Sequence, residues 1–429
     1  MTAAAAPAQT RRFQDKREAL LAAAAALFNA QGVKGATLGE IAASVGLVTT
    51  SLTYYYRKKE DLATACFLRA IAAHQALALQ AAGQATVASR VARFFALHAA
   101  LLADFERGAQ PPLMVFSDIR TLPEAQAATV FAAYTDMFRQ VRALLAGPET
   151  ATLGRDDLNA RAHLLLSAAH WVRAWIHRYE ADEYPRVARH ITDILLHGLA
   201  APGQHWPADA QLAALRLGDS PLAALSEALS ETPGEAPDDT ADAFLRAATE
   251  LVNEQGYRGA SVDKISARLN VTKGSFYHHN ETKLDLITAC FERSFAVQRH
   301  LLRAAEQAPA SGWVRGCAAT AALVRFQLGP RGPLLRSTAT SALPDQAHRE
   351  QVGRTIGRLT ERIASVLVDG LVDGTVRPLD TSIAAQLLAS AINAAAELQR
   401  WVPGIAPDNV TGRYTRPGLL GLLCAPSAA

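Results

Sequence analysis

The chain has 429 residues, half of them apolar and 19% charged, with a formal charge of +3. That balance excludes a disordered chain, and no leading signal peptide or run of 18 strongly apolar residues is expected, so neither export nor a membrane span is predicted. Alanine dominates and period-2 runs of Val, Ile and Thr are scarce, which predicts an all-α protein.

In chain order, Leu20, Leu21, Ala24, Leu27 and Phe28 recur at helical spacing from about Asp15, and Gly32 and Gly35 end that helix. Thr37-Leu-Gly-Glu40 is a capping box, so a short helix is expected from there to about Val45. Gly46 allows a tight turn, and a second short helix carries Thr49 to Tyr56, with Tyr56 expected in the core. A longer helix then starts near Asp61 and runs through Cys66, Phe67 and Ile71. Arg11 and Arg12 lie just ahead, either as a basic arm for a minor groove or as a disordered tail.

Ala-rich helices follow to about residue 200, and residues 85–180 hold ten aromatic residues. His163, His170 and His177 share a helical face at spacing seven. Two turns, about 10.5 Å, are too far for one metal, so a polar stripe at a lobe interface is expected. Residues 201–238 hold five prolines and end in an acidic run, which reads as a connector with a reach of roughly 30–35 Å.

The order then repeats. Residues 251–291 align without a gap on residues 27–67, and 16 of the 41 positions are identical. Phe244, Leu245, Ala248, Leu251 and Val252 restart the helical stripe, Gly256 stops it, Ser261 caps the next helix, Asn270 takes the turn, and Lys273 to His279 form the second short helix. Similarity continues at an offset of 221, where Pro112–Pro123 resembles Pro333–Pro344. The copies differ in charge: residues 11–69 carry nine basic against five acidic side chains, and residues 235–293 seven against ten. Cys66 and Cys290 occupy the same repeat position, and with Cys317 and Cys424 form no CxxC pair. Thiols without disulfides, in a cytoplasmic protein, are expected.

A supporting helix, a short helix, a tight turn and a second short helix make a helix-turn-helix. The run Val271-Thr272-Lys273-Gly274-Ser275-Phe276-Tyr277-His278-His279-Asn280, with Lys283 and Asp285-Leu286, resembles the recognition segment of the TetR/AcrR family of bacterial transcriptional regulators. The first copy keeps Lys59-Glu60-Asp61-Leu62 but reads Thr49-Thr50-Ser51-Leu52-Thr53-Tyr54, without the Lys-Gly pair. The resemblance implies two tandem lobes, each a DNA-binding head on a helical body that binds a ligand and dimerises. The expected division is residues 11–70 and 239–294 for the heads, 71–200 and 295–425 for the bodies, and 201–238 for the linker.

It further implies that Thr49, Thr50, Ser51, Thr53 and Tyr54 approach DNA in the first head, and Thr272, Lys273, Gly274, Tyr277 and His278 in the second. Lys59 and Lys283 suit phosphate clamping, and Thr37 and Ser261 can bond phosphate from a helix start. The last two helices of each body, about Asp156–Tyr179 with Tyr184–Leu199 and Thr381–Trp401 with the tail after Asp408, would pair the lobes as a pseudo-dimer. Pro417 and Gly418 interrupt the last of them. A dimer of such chains would carry four heads.

The aromatic excess places the effector pocket in the first body, lined by Phe116, His170, Trp171 and Trp175, or those residues are simply core. The expected partners are operator DNA and an apolar or aromatic small molecule, with no cofactor and no metal. No catalytic set stands out, so no enzyme is expected. The function expected is a repressor released by a small molecule. The rival reading keeps one head on DNA and makes the other lobe a scaffold.

Overall fold

Apart from one antiparallel bridge between Ala200 and Val376, every named element among the described residues is helical. The structure, a computed structural model, describes residues 11–208, 212, 239–269, 282–343 and 346–426. The first lobe runs α1 (Arg11–Gln31), α2 (Leu38–Ser44), α3 (Thr49–Tyr55), α4 (Lys59–Ala82), α5 (Val87–Glu106), a 3-10 turn (Phe116–Thr121), α6 (Glu124–Leu144), α7 (Arg155–Val172), a short 3-10 turn (Ile176–Arg178) and α8 (Tyr184–His197). The second lobe runs α9 (Asp239–Gly259), α10 (Val262–Leu269), α11 (Lys283–Gln307), α12 (Gly312–Leu328), a 3-10 turn (Ser337–Ala342), α13 (Gln346–Val372), α14 (Thr381–Ala394), α15 (Leu398–Trp401) and α16 (Arg416–Leu420).

The first helix begins at Arg11, four residues earlier than its apolar stripe suggests. The backbone of Arg11 and Arg12 is therefore part of α1 and not a separate arm. Gly32 ends α1 with φ +74°, and the repeat-equivalent Gly256 has φ +71°. At Gly256 the chain changes direction but resumes helical turns to Gly259, where the sequence pattern had suggested a stop. The capping box at Thr37 is complete: its Oγ1 accepts from the Glu40 N–H (3.2 Å), and the Glu40 carboxylate accepts from the Thr37 N–H (2.8 Å).

Each head is tied internally by the same pair of contacts. Arg69 bonds Glu18 (3.1 Å) and the equivalent Arg293 bonds Asp242 (2.7 Å). The Cys66 thiol donates to the Leu21 carbonyl (3.6 Å) and the Cys290 thiol to the Leu245 carbonyl (3.4 Å). Burial pushes these thiols up, to about 12 and about 11, so they stay protonated and serve as packing.

Helix α4 is the one described helix long and apolar enough, by length and composition, to cross a membrane, a length the sequence pattern had not suggested. Half of that apolar window is buried inside the protein, where Leu62, Cys66, Phe67, Ala70 and Ile71 meet α1, α5 and α6.

The two lobes meet along α7, α8, α14 and α16. Beyond α8 the Leu199 N–H donates to the Leu419 carbonyl (2.8 Å), and beyond α16 the Leu422 N–H donates to the Leu195 carbonyl (2.7 Å). These bonds are near-equivalent across the repeat, so the seam is close to two-fold. Arg161, only 1% exposed, fixes its edge by donating to the Leu422 and Cys424 carbonyls (both 2.9 Å). The last helix forms despite Pro417, which sits in its first turn where no N–H is needed; residues Thr411–Thr415 wind into it as one wide turn.

The start of the expected linker lies against the second body. The Ala201 N–H donates to the Thr375 carbonyl (3.1 Å), and the Trp313 indole N–H to the His205 carbonyl (2.9 Å). Except for Leu212, residues 209–238 lie outside the described residues.

Candidate functional site

The exposed face of α3 carries most of the residues expected to approach DNA. Leu52 is fully buried and roots the helix, while Thr49, Thr50, Ser51 and Thr53 are exposed and Tyr54 is 78% exposed. Thr53 returns its hydroxyl to the Thr50 carbonyl (2.8 Å). Tyr55 stacks on Phe13 (4.8 Å between centroids), and Tyr56 is buried, as its expected core role requires.

Thr37 is exposed but its hydroxyl is held by Glu40 (2.7 Å). Lys59, expected as a phosphate clamp, is tied to its own head. Its ammonium donates to the Ala36 (2.9 Å) and Lys34 (3.2 Å) carbonyls, so it closes the loop ahead of α2 and α3.

In the second head, Ser261 accepts from the Lys264 N–H (3.3 Å), and the Lys283 ammonium lies 4.5 Å from the centre of the Tyr257 ring. Thr272, Lys273, Gly274, Tyr277 and His278, together with Asn270, lie outside the described residues.

Each head is clasped to its own body by an asparagine that sequence reasoning missed. Asn29 on α1 donates to the Leu113 carbonyl (3.0 Å) and accepts from the Val115 N–H (2.9 Å). Asn253 on α9 donates to the Leu334 carbonyl (2.9 Å) and accepts from the Arg336 N–H (3.0 Å). The two asparagines are identical across the repeat, and the body partners are equivalent at the shifted offset of 221. That double match was the available signal, since a polar residue kept on an otherwise apolar stripe needs a partner.

The heads also reach across. Helix α9 packs on the Phe116–Thr121 turn of the first body as well as on the Ser337–Ala342 turn of its own, and α1 touches the latter. Arg120 donates to the Asn253 carbonyl (3.2 Å).

Beneath these two turns lies a cavity of about 1030 Å³. Phe116, His170, Trp171 and Trp175 all line it, but so do Arg336, Glu361, Glu397, Arg400 and Trp401 of the second lobe. The cavity is thus shared by both bodies, whereas the aromatic count had placed it in the first. Its aromatic wall is continuous: Phe116 lies 5.3 Å from Tyr134, Tyr134 5.3 Å from Trp401, and Trp401 4.5 Å from Phe138. The Trp171 indole N–H donates across the lobes to Gln386 (3.0 Å).

His163, His170 and His177 also line the cavity, although α7 ends at Val172 and His177 sits in the 3-10 turn. His170 instead clusters with His74 and Phe116 (5.6 and 4.9 Å between centroids), and His74 with His98 (5.6 Å). Burial lowers His74, His98, His163 and His170, His98 to about 3 and His163 to about 4, and the mutual repulsion of the cluster lowers His98 and His170 further. Among the described residues no group of His, Cys, Asp or Glu could hold a metal ion.

One carboxylate sits among several arginines. Glu397 bonds Arg120 (2.9 Å) and Arg336. Burial opposes its ionisation, but Arg336 and Arg120 outweigh that and hold the carboxyl below its ordinary range.

Comparison with known proteins is consistent with this duplicated head. A model of the bacterial regulatory proteins of the tetR family matches residues 20–66 and again residues 244–290. The transposon Tn10 TetC protein of Escherichia coli is 41% identical over 54 residues, 13% of this chain and 27% of that relative, so the match spans about a quarter of its length. A TetR-family regulator from Bordetella parapertussis aligns with 20% identity and a TM-score of 0.37 over 42% of this chain and 94% of its own. The TetR-family regulator PfmR from Thermus thermophilus aligns with 22% identity and a TM-score of 0.34 over 44% and 96%. Two copies of that family's N-terminal segment thus lie at repeat-equivalent positions, each in a helical head, so the chain carries tetR-type N-terminal segments in tandem.

Proposed function

We propose that the chain is a repressor whose two non-identical heads form a covalent pseudo-dimer on operator DNA and are released when a small molecule enters the shared cavity. The observation that carries this reading is the cavity's roof. Phe116, Ile119 and Arg120 on one 3-10 turn, and Ser337, Thr338 and Thr340 on the other, line the cavity while the first helices of the heads rest on those turns. A ligand that moves either turn changes the relative placement of the heads, and half-sites about 34 Å apart tolerate only one placement. The near-two-fold seam of Leu195, Leu199, Leu419 and Leu422 supports the pseudo-dimer.

In this reading Thr49, Thr50, Ser51, Thr53 and Tyr54 read one half-site, with Thr37 on phosphate and Lys59 holding the loop in place. Thr272, Lys273, Gly274, Tyr277 and His278 read the other, flanked by Ser261 and Lys283. The test is selection of duplexes from a random DNA pool by the full chain, followed by affinity for the selected duplex. Tyr54→Ala and Lys273→Ala should each weaken binding by about tenfold or more, the size of one lost polar contact. No change in either variant would sink the proposal.

The charge split favours a second reading, in which only the first head grips DNA and the second lobe is a scaffold. Loss of binding in Tyr54→Ala with none in Lys273→Ala would select it.

A further inference from the structure

The cavity wall has an electrostatic character that its aromatic content does not require. Among the described residues, seven arginines line it against two glutamates. Toward the interior Glu397 is the single carboxylate among the described residues, and it neutralises one charge of the three on Arg120, Arg336 and Arg400. Arg400 has no carboxylate within bonding distance among the described residues; its guanidinium lies 3.7 Å from the centre of the Phe131 ring and 5.7 Å from that of Trp401. A further guanidinium, Arg173, spends a donor on the Leu113 carbonyl (2.6 Å) and likewise has no carboxylate partner among the described residues.

The buried polar atoms point the same way. Arg336 Nε, Trp175 Nε1, His170 Nε2 and Thr340 Oγ1 are buried without a hydrogen-bond partner, and all four residues line this cavity. Trp175 is only 4% exposed. An arginine Nε and an indole Nε1 carry hydrogen and can only donate, so what satisfies them must offer hydrogen-bond acceptors. Unpaired buried donors and uncompensated cations each raise the energy of the empty site.

We propose that the cavity selects an amphipathic organic anion, with its ring system between Phe116, Tyr134, Trp171 and Trp175 and its carboxylate or similar oxyanion among Arg336, Arg400 and Arg120. The surplus of cations repels organic ammonium ions and leaves neutral compounds without a partner for the guanidiniums. The anion's seat is also adjacent to the second head, because Arg120 bonds the Asn253 carbonyl and the Arg336 N–H bonds the Asn253 side chain. This inference rests on the cavity being the effector site, so its test separates the two ideas.

The experiment is calorimetric titration of the full chain with three probes of one shape, 1-naphthaleneacetate, 1-naphthaleneethanol and 1-naphthaleneethylamine. The anion is expected to bind about tenfold tighter than the alcohol or better, as a charge-assisted bond implies, and the protonated amine weakest. Arg400→Met should abolish most of that preference and Arg400→Lys should keep part of it, with thermal melts unchanged. Gly357→Trp should block all binding, because Gly357 lines the cavity and an added Cβ there meets nothing within 4 Å. If the alcohol or amine binds as tightly as the anion and Gly357→Trp still blocks it, the anion preference is overturned while the cavity reading stands. If no probe binds, the anion preference also fails. If the anion binds equally well to Gly357→Trp, the cavity reading falls and the proposal with it.

Discussion

Asn29 and Asn253 each satisfy a backbone carbonyl and a backbone N–H of the body below their head. Removing the Asn253 amide strands the Leu334 carbonyl and the Arg336 N–H, and an unsatisfied buried group costs about 1–3 kcal/mol. Asn253→Ala should therefore lower the melting temperature by several degrees and change the response of DNA affinity to ligand; an unchanged melt would show that the clasp adds nothing to stability. The buried histidines set a pH dependence with a definite sign. The folded values of His74, His98, His163 and His170 lie below the ordinary 6.5, so below that pH the unfolded chain binds protons that the folded one refuses. Their stabilising contribution is complete above about pH 6.5 and is lost as pH falls toward the folded values, at roughly 1.4 kcal/mol per pH unit for each ring kept neutral. Thermal melts between about pH 7.5 and 5, a window set by the ordinary histidine value, should fall steadily, and His98→Leu should flatten the curve. A flat wild-type curve would contradict this. Glu397 acts in a lower window, losing its contribution only as pH drops through its own depressed value.

Helix α3 divides cleanly into a buried root and an exposed face. Leu52 is fully buried while Tyr54, two residues on, is 78% exposed. Leu52→Ala should destabilise the head by about 2–5 kcal/mol through the cavity it leaves. Tyr54→Ala should leave the melt within about 0.5 kcal/mol, as surface changes usually do, and act on DNA affinity alone. Chemical denaturation beside DNA titration distinguishes the two, and a large stability loss in Tyr54→Ala would assign that ring to the core. Lys59 also belongs to this scale. A lysine at the start of a helix beside a basic head reads as a phosphate ligand, and here the carbonyls of Lys34 and Ala36, turned toward it by the loop after α1, accept two of its three hydrogen bonds.

At the scale of the whole molecule, the seam depends on two glycines. Gly198 (φ +69°) and Gly421 (φ +98°) sit where the ends of α8 and α16 cross, and a Cβ on either would collide with the backbone of the other segment. Gly421→Ala should cost more than the about 1 kcal/mol of an ordinary backbone penalty, because lobe must move against lobe. Differential scanning calorimetry should then resolve separate transitions for the two lobes where the wild type gives one. A single transition at the wild-type temperature would mean that the seam yields without cost. The charge split between the heads also belongs to this scale, yet part of the acidity near the second head is internal, since Asp242 is spent on the buried Arg293.

The helices and the duplicated head were legible because they rest on local rules, whereas the seam helices were named only through what the resemblance implied. Apolar spacing, a Thr-x-x-Glu cap and glycines at matched positions act within a few residues, and duplication printed each signal twice. The missed features are long-range. Phe116, His170, Trp171 and Trp175 were recognisable as aromatic cavity candidates, but nothing in their spacing revealed that Arg336, Glu397 and Arg400 close the same cavity from more than 160 residues away. The asparagine clasps, the loop-bound Lys59 and the orphaned donors likewise exist only through partners brought in by packing. Sequence by itself determined the all-helical repeat and its duplicated heads, because helix formation and capping are decided by near neighbours. Tertiary structure alone decided where the cavity lies and what charge it presents, because both depend on two bodies pressing their last helices together.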